Sequence, residues 1–527
     1  MGRPHQRLSL LSGATITLLV LFPVAGLFFA LVDRPSDPFT GEQVGLLSLL
    51  RDSGVGMLLV RYVALSICVA AGSVGLGGWL AWVEHRTRVP RWWSLLTLLP
   101  LAMPSYLVAA TLRSSLSKGG WLGGALGTPH VTGFVVAVLV LSVITAPLSQ
   151  LIIGAALARS SASEEEAART LGASPQQVFR DITLPHLRPA IGFSGVIALL
   201  YAISDFGAVA VLDVPVLTWR LYLAVESTDI AKAAVLGAAT LLATLPLLLA
   251  ARTIRGRGVA PGSANVRPPV PAELSSSARW LTRGVLAVVL GVGGLIPLVT
   301  LSLWVIDGLS RGLSFASPWS ALGDTLMAAI IGAVLTVVLA WLPAAVQARR
   351  DRAGGLLEDS VYLTSALPGV LLALGLMLAT LRLTALFPEG TYGLVIGSGL
   401  LLFLGYATRF LAEVYAPLKD GLTALDQRQI DSAKVLGASS LKRMRTVVIP
   451  AVTPGITVAL VIGFNAIVKE LPVTLLLGGA TGLKTLSFRV WDRYAESLWH
   501  DAGLSGLILV SLALMSAWAT QHWRTHE

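Results

Sequence analysis

The sequence is short of charge. Only 13% of its 527 residues are Asp, Glu, Lys or Arg, about half the share found in a soluble domain, while 54% are hydrophobic. So little polar surface cannot cover a water-soluble globule of this length, which excludes a string of ordinary soluble domains and places the chain in lipid. Cysteine is scarcer still. Cys68 stands alone in an apolar run, excluding an intrachain disulfide and any metal site built from cysteines. A phosphate-binding loop is missing too. Gly479-Ala480-Thr481-Gly482-Leu483-Lys484-Thr485 approaches one, but Leu483 breaks the Gly-Lys-Ser/Thr adjacency. The seven histidines are scattered, and the pair His522 and His526 near the C-terminus reads as a solvated tail rather than a metal site. No nucleophile and base, and no paired catalytic carboxylates, share a loop. No catalytic residue is therefore expected, and a metal site is left unassigned.

Long apolar runs are what the chain has instead. A bilayer core of about 30 Å needs roughly 20 apolar helical residues. Ten runs meet that length without an acidic or basic residue: 8–33 with its ends trimmed, 62–83, 92–112, 131–158, 233–251, 284–306, 325–348, 361–381, 391–408 and 502–523. Two more, 189–212 and 446–477, carry Asp205 and Glu470 near their far ends. The expectation is an all-α polytopic membrane protein with 12 transmembrane helices. The first run is too long for the apolar core of a cleaved secretory signal and reads as a retained span.

The net charge of +10 suits either a nucleic-acid surface or the inner loops of a membrane protein. With the N-terminus inside, 26 of the 39 Lys and Arg residues fall on the inner side, as the positive-inside rule requires. The basic character is then topological, no nucleic-acid partner is needed, and both termini are expected in the cytoplasm of a cell with the chain in its plasma membrane.

The spans repeat. Glu166-Ala167-Ala168-Arg169-Thr170-Leu171-Gly172, continuing to Ile182-Thr183-Leu184-Pro185, matches Asp431-Ser432-Ala433-Lys434-Val435-Leu436-Gly437, continuing to Val447-Val448-Ile449-Pro450, at a constant offset. Ala102-Met103-Pro104 answers Ala366-Leu367-Pro368, and Asp205-Phe206 answers Glu470-Leu471. Six spans per half is an even number, so the two repeats run parallel, about an axis along the membrane normal. The expected division is a first repeat over 1–254, a Pro-, Gly- and Arg-rich cytoplasmic linker over 255–280, and a second repeat over 281–527.

Each copy of the motif lies in an inner loop. Ser163 is placed to cap a helix opened by Glu164-Glu165-Glu166; Gly172 ends it, Pro175 starts a second short helix, and Pro185 marks entry to the next span. Two symmetric protrusions suit a two-fold symmetric soluble partner. The pattern Glu-Ala-Ala, Gly, Ile, Leu-Pro resembles the coupling loop of binding-protein-dependent ABC importer permeases of type I. The resemblance implies that Glu166, Ala167, Ala168, Gly172 and Pro185 form one docking element, and Asp431, Ala433, Gly437 and Pro450 the other, for a homodimeric cytoplasmic ABC ATPase. ATP would be used by that partner, with no cofactor bound by this chain. A periplasmic or extracellular substrate-binding protein would deliver the substrate. The second copy departs from the motif, with Asp431 for Glu and Ser432 for Ala.

The fused double arrangement, with Glu470-Leu471-Pro472-Val473-Thr474 and Thr485-Leu486-Ser487-Phe488-Arg489-Val490-Trp491, is similar to the ferric-iron permeases of that superfamily. Its patterns are shared in part with thiamine and polyamine permeases, so those substrates stay open. A twelve-span secondary transporter driven by an ion gradient is the rival from another class. For the translocation path or its gate the candidates are Asp205, Lys469, Glu470, Pro104 and Pro368. The two carboxylates suit a hard cation. Equally, they anchor helix ends, with Lys469 neutralising one of them. Gly72, Gly75, Gly77 and Gly78 read as close-packing positions.

Overall fold

A computed structural model describes residues 3–32, 51, 53–90, 92–126, 131–159, 162–255, 273–348, 358, 360–364 and 367–524. Among them every regular element is a helix. Lipid demands this, because a spanning helix satisfies its backbone N–H and C=O groups internally. The fold is the expected all-α polytopic one.

Nine helices among the described residues are long and apolar enough to cross a membrane: Ser12–Val32, Val55–Arg86, Phe134–Ala158, Pro175–Ser204, Ile230–Leu247, Ser276–Ser310, Trp319–Ala348, Ser440–Val468 and Trp499–Ser516. The pair Thr391–Gly397 and Leu400–Arg409, bent by 55°, makes a tenth if it is one span. The runs at 92–112 and 361–381 are not continuous helices. The first is divided into Trp93–Thr97, a 3-10 turn at Leu99–Ala102 and the helix Ser105–Leu116. From the second comes the 16-residue helix Gly369–Thr384. Each break falls at its proline. Pro104 (φ −64°, ψ 139°) and Pro368 (φ −54°, ψ 139°) stand in extended backbone immediately before the helix. Proline lacks the N–H and clashes with the turn before it, so apolarity persists through these positions while the helix does not. Ala366 lies outside the described residues.

The chain forms two compact units, and neither is contiguous in sequence. One comprises Leu50–Arg220 and Ala239–Leu313. Its centre is the packing of Val55–Arg86 against Phe134–Ala158, with Leu184–Ser204 on both. Gly72 and Gly77 make that approach possible: a Cβ at Gly72 would overlap the Ser142 hydroxyl, and one at Gly77 the Ala146 carbonyl. Gly75 faces open space and Gly78 only the side chain of Ile153, so they are not close-packing positions. Ser73 and Ser149 share a hydrogen bond of 2.9 Å across the same interface. The Ser276–Ser310 span is bound to this unit by Trp79 Nε1 donating to Thr282 Oγ1 (3.1 Å) and Trp121 Nε1 donating to Thr300 Oγ1 (3.0 Å). It begins inside the expected linker, with Ser275 as N-cap. Residues 256–272 of that linker lie outside the described residues.

The other unit comprises Met1–Leu49, Leu221–Ala238 and Ser314–Glu527. Here Trp319–Ala348 packs on Leu411–Ala424 and Ile449–Val468, around a core with Ala340, Ala344, Leu411, Tyr415 and Leu418. The first span of the chain lies against Gly369–Thr384. Gly26 meets the Gly375 carbonyl and Gly375 meets Pro23, both too closely for a side chain. The first span of each repeat thus belongs to the unit built mainly from the other repeat.

Candidate functional site

The two loop motifs fold into the same local structure. In the first copy, Ala162–Thr170 is followed by Gly172 at φ +89°; in the second, Gln427–Val435 is followed by Gly437 at φ +78°. Left-handed backbone there closes each helix with the same pair of bonds: Gly172 N to Arg169 O and Ala173 N to Ala168 O, Gly437 N to Lys434 O and Ala438 N to Ala433 O, all 3.0 Å. Ser174 then caps Pro175–Val178, its Oγ accepting from Gln177 N at 3.3 Å, and Ser439 caps Ser440–Arg443, accepting from Lys442 N at 3.3 Å. A single π-turn follows in both, Phe179–Thr183 and Met444–Val448, leading into the spans that begin Leu184-Pro185 and Ile449-Pro450. The helical order expected from Gly172, Pro175 and Pro185 is the one observed. The Ser163 cap is not: the helix already includes Ala162, so Ser163 sits in its first turn.

Of the motif residues, Glu166, Ala167, Gly172, Pro185, Asp431, Gly437 and Pro450 are exposed, and Ala168 and Ala433 are half-buried. Two features are not marked by the motif. Leu171 and Leu436, at equivalent positions just before each glycine, are 88% and 85% exposed; the cue was an apolar residue in an otherwise polar loop. Glu165, next to the favoured Glu166, is buried, its oxygens bonded to Arg86, Thr183 and Arg169.

The candidate path residues gather where helices break. Asp205 ends Leu184–Ser204, and its Oδ1 accepts from Ala208 N at 2.9 Å, capping the short helix Gly207–Val211. Ser105, the first residue after Pro104, donates to Oδ2. Thr218 Oγ1 donates to the Asp205 carbonyl at 3.1 Å. In the other repeat Glu470 Oε1 accepts from Val473 N at 3.0 Å and caps Pro472–Leu477. Gly369, the first residue after Pro368, lies against that carboxylate. Thr474 Oγ1 donates to the Glu470 carbonyl at 3.1 Å. Each carboxylate therefore closes a helix break beside its proline. Lys469 follows the helix Ile449–Val468, and the carboxylate in its electrostatic neighbourhood is Glu413. Among the described residues no group of three His, Cys, Asp or Glu is placed to hold a metal ion.

The duplication continues beyond these breaks. Leu217-Thr218-Trp219-Arg220-Leu221-Tyr222 matches Leu486-Ser487-Phe488-Arg489-Val490-Trp491, and both open short helices, Leu217–Glu226 and Leu486–Ala495. Tyr222 and Trp491 are hydrogen-bonded to each other.

Repeated apolar spans, paired loop motifs of the same local structure and matching helix breaks mark a duplicated polytopic membrane protein. The chain belongs to the family of binding-protein-dependent transport system inner membrane components, whose model matches residues 73–257 and again 336–520; it is a multi-pass inner-membrane permease of an ABC importer. It is 28% identical over 509 residues to an Fe(3+)-transport system permease protein of Haemophilus influenzae, covering 94% of this chain and 95% of that one. With a ferric transport system permease protein of Actinobacillus pleuropneumoniae it shares 26% identity, over 85% of this chain and 68% of the relative. The thiamine transport system permease protein of Escherichia coli is 25% identical over 83% of each.

Proposed function

We propose that this permease imports ferric iron delivered by an external binding protein, driven by a homodimeric ABC ATPase that engages its two inner loops. The observation that carries the coupling reading is the duplicated loop itself. Leu171 and Leu436 project from identical helix ends with 88% and 85% of their surface exposed, an arrangement that suits two equivalent clefts on a symmetric partner. The positive-inside count supports a cytoplasmic position for both loops and both termini. Glu166, Ala167, Ala168, Gly172 and Pro185, with Asp431, Ala433, Gly437 and Pro450, then form the docking elements, and ATP is used by the partner.

Iron is favoured over thiamine by the extent of likeness to the Haemophilus influenzae iron permease, which runs nearly end to end. Within the membrane, Asp205 and Glu470 act as helix anchors of the gate rather than as cation ligands, since one oxygen of each already accepts from the backbone N–H of the short helix that follows. Pro104 and Pro368 set the breaks they close, and Lys469 stands beside Glu413 at the end of its helix.

Two measurements test this reading. A strain deleted for the gene should lose uptake of radiolabelled ferric iron and keep that of thiamine; the reverse pattern removes the iron assignment. The purified chain should bring an ATPase with it, and uptake should survive collapse of the proton gradient but not depletion of ATP. Uptake that follows the gradient instead makes the chain a secondary transporter.

A further inference from the structure

Glu165 lies between two exposed glutamates, yet only 4% of its surface is open. Arg86 Nη1 donates to its Oε2 at 3.0 Å and Arg86 Nη2 to its Oε1 at 2.7 Å, a two-pronged pair with both side chains about as buried. Thr183 Oγ1 adds a bond to Oε1 at 3.0 Å, and Arg169 Nη2 one to Oε2 at 3.3 Å. Arg86 is the last residue of the Val55–Arg86 span, and Thr183 ends the π-turn that leads into Leu184–Ser204. The Arg86 guanidinium also lies 5.3 Å from the Trp82 ring, which meets Phe179 of the π-turn edge-on at 5.2 Å. One carboxylate thus ties the first loop helix to the ends of two membrane spans.

A fork-to-carboxylate pair fixes direction as well as distance. Out of water, neither charge can leave the other without being stranded. Movement of the Ala162–Thr170 helix must therefore carry the end of the Val55–Arg86 span with it. Among the described residues the second loop shows no counterpart. Ile430 stands where the repeat would put Glu165, and Val448 where it would put Thr183. Among the described side chains, the Gln427–Val435 helix makes no hydrogen bond or ion pair to another element.

We infer that Arg86 and Glu165 are positioning residues that make the first loop the stiff arm of the coupling, passing ATPase movement directly into the Val55–Arg86 span, while the second loop is compliant. The inference rests on the coupling role proposed above. Its test uses the full chain reconstituted in liposomes with its ATPase and binding protein, comparing Glu165→Gln, Arg86→Gln and Arg86→Lys with the wild type. Glu165→Gln and Arg86→Gln should keep the ATPase bound and cut the ferric iron moved per ATP hydrolysed about tenfold. Arg86→Lys, which keeps the charge but loses the fork, should fall between them and the wild type. Unchanged iron per ATP in both glutamine variants overturns the inference. So does loss of ATPase binding in step with transport, which would make the pair a folding contact only. Failure of the underlying coupling role looks different: the wild-type chain itself would hold no ATPase.

Discussion

Tyr222 and Trp491 occupy equivalent positions in the two repeats and are hydrogen-bonded to each other, both within the unit that contains Leu221–Ala238 and Ser314–Glu527. Indole N–H is a donor only, so Trp491 gives the bond and the phenol oxygen accepts it. Burial, with Glu226 adding to it, pushes the Tyr222 phenol up to about 12. The phenol therefore stays protonated and the contact is insensitive to physiological pH. Equivalent residues of a duplicated chain touch where the copies meet, and on the topology proposed here that point lies at the outer end. Linking Tyr222→Cys to Trp491→Cys with a short thiol crosslinker, after Cys68→Ser, should stop substrate uptake, and cleaving the link should restore it. Full uptake in the crosslinked protein would take the pair out of the pathway.

Gly172 and Gly437 make a second prediction. A Cβ at either position would meet nothing within 4 Å, so the cost of a larger residue is backbone strain alone, at φ +89° and +78°. For a β-branched residue that strain is roughly 1–2 kcal/mol per site. The Gly172→Val/Gly437→Val double variant should insert at the wild-type level, measured by membrane fractionation, while transport is lost. Unchanged uptake would remove the loops from the coupling path.

Leu171 and Leu436 should separate docking from folding. Both are so exposed that an acidic replacement changes stability by about 0.5 kcal/mol or less. Leu171→Asp and Leu436→Asp should leave thermal unfolding where it was and reduce recovery of the ATPase with the purified chain, the double variant most. Wild-type recovery from all three variants would show that these side chains do not face the partner.

The Ser105 hydroxyl bonded to Asp205 gives a stability prediction. Both residues are 8% exposed, and losing a buried hydrogen bond to a carboxylate costs about 1.5 to 3 kcal/mol. Ser105→Ala should lower the thermal midpoint of the purified protein in detergent. No counterpart is expected in the other repeat, where Gly369 stands at the matching place. An unshifted midpoint would mean that water replaces the hydroxyl at the break.

The loops were legible in the sequence because their geometry is set locally. Gly172, Gly437, Pro175 and the closing prolines each act through the backbone within a few residues of themselves, whereas the caps at Ser174 and Ser439 emerge only from the fold. Glu165 was hidden for the opposite reason: three consecutive glutamates look alike until Arg86, far away in the chain, selects one. Hydropathy found the runs at 92–112 and 361–381 but not their breaks, since Pro104 and Pro368 interrupt a helix without interrupting an apolar stretch. In sequence Lys469 adjoins Glu470, whereas the fold sets it near Glu413, a residue of a different helix. The four glycines of the second run looked equivalent, and only Gly72 and Gly77 turned out to meet another backbone or side chain at close range.

The first span packs against Gly369–Thr384, with Gly26 and Gly375 in backbone contact. That partner is synthesised more than 300 residues later. At ribosomal speeds of about 5–20 residues per second, the leading helix spends roughly 20 to 70 seconds in the bilayer before the surface that will cover its glycine face exists. The unit that contains this span draws on Ser314–Glu527 and cannot close until that part of the chain is made, so truncated products carry an unsatisfied helix face that membrane quality-control proteases can recognise.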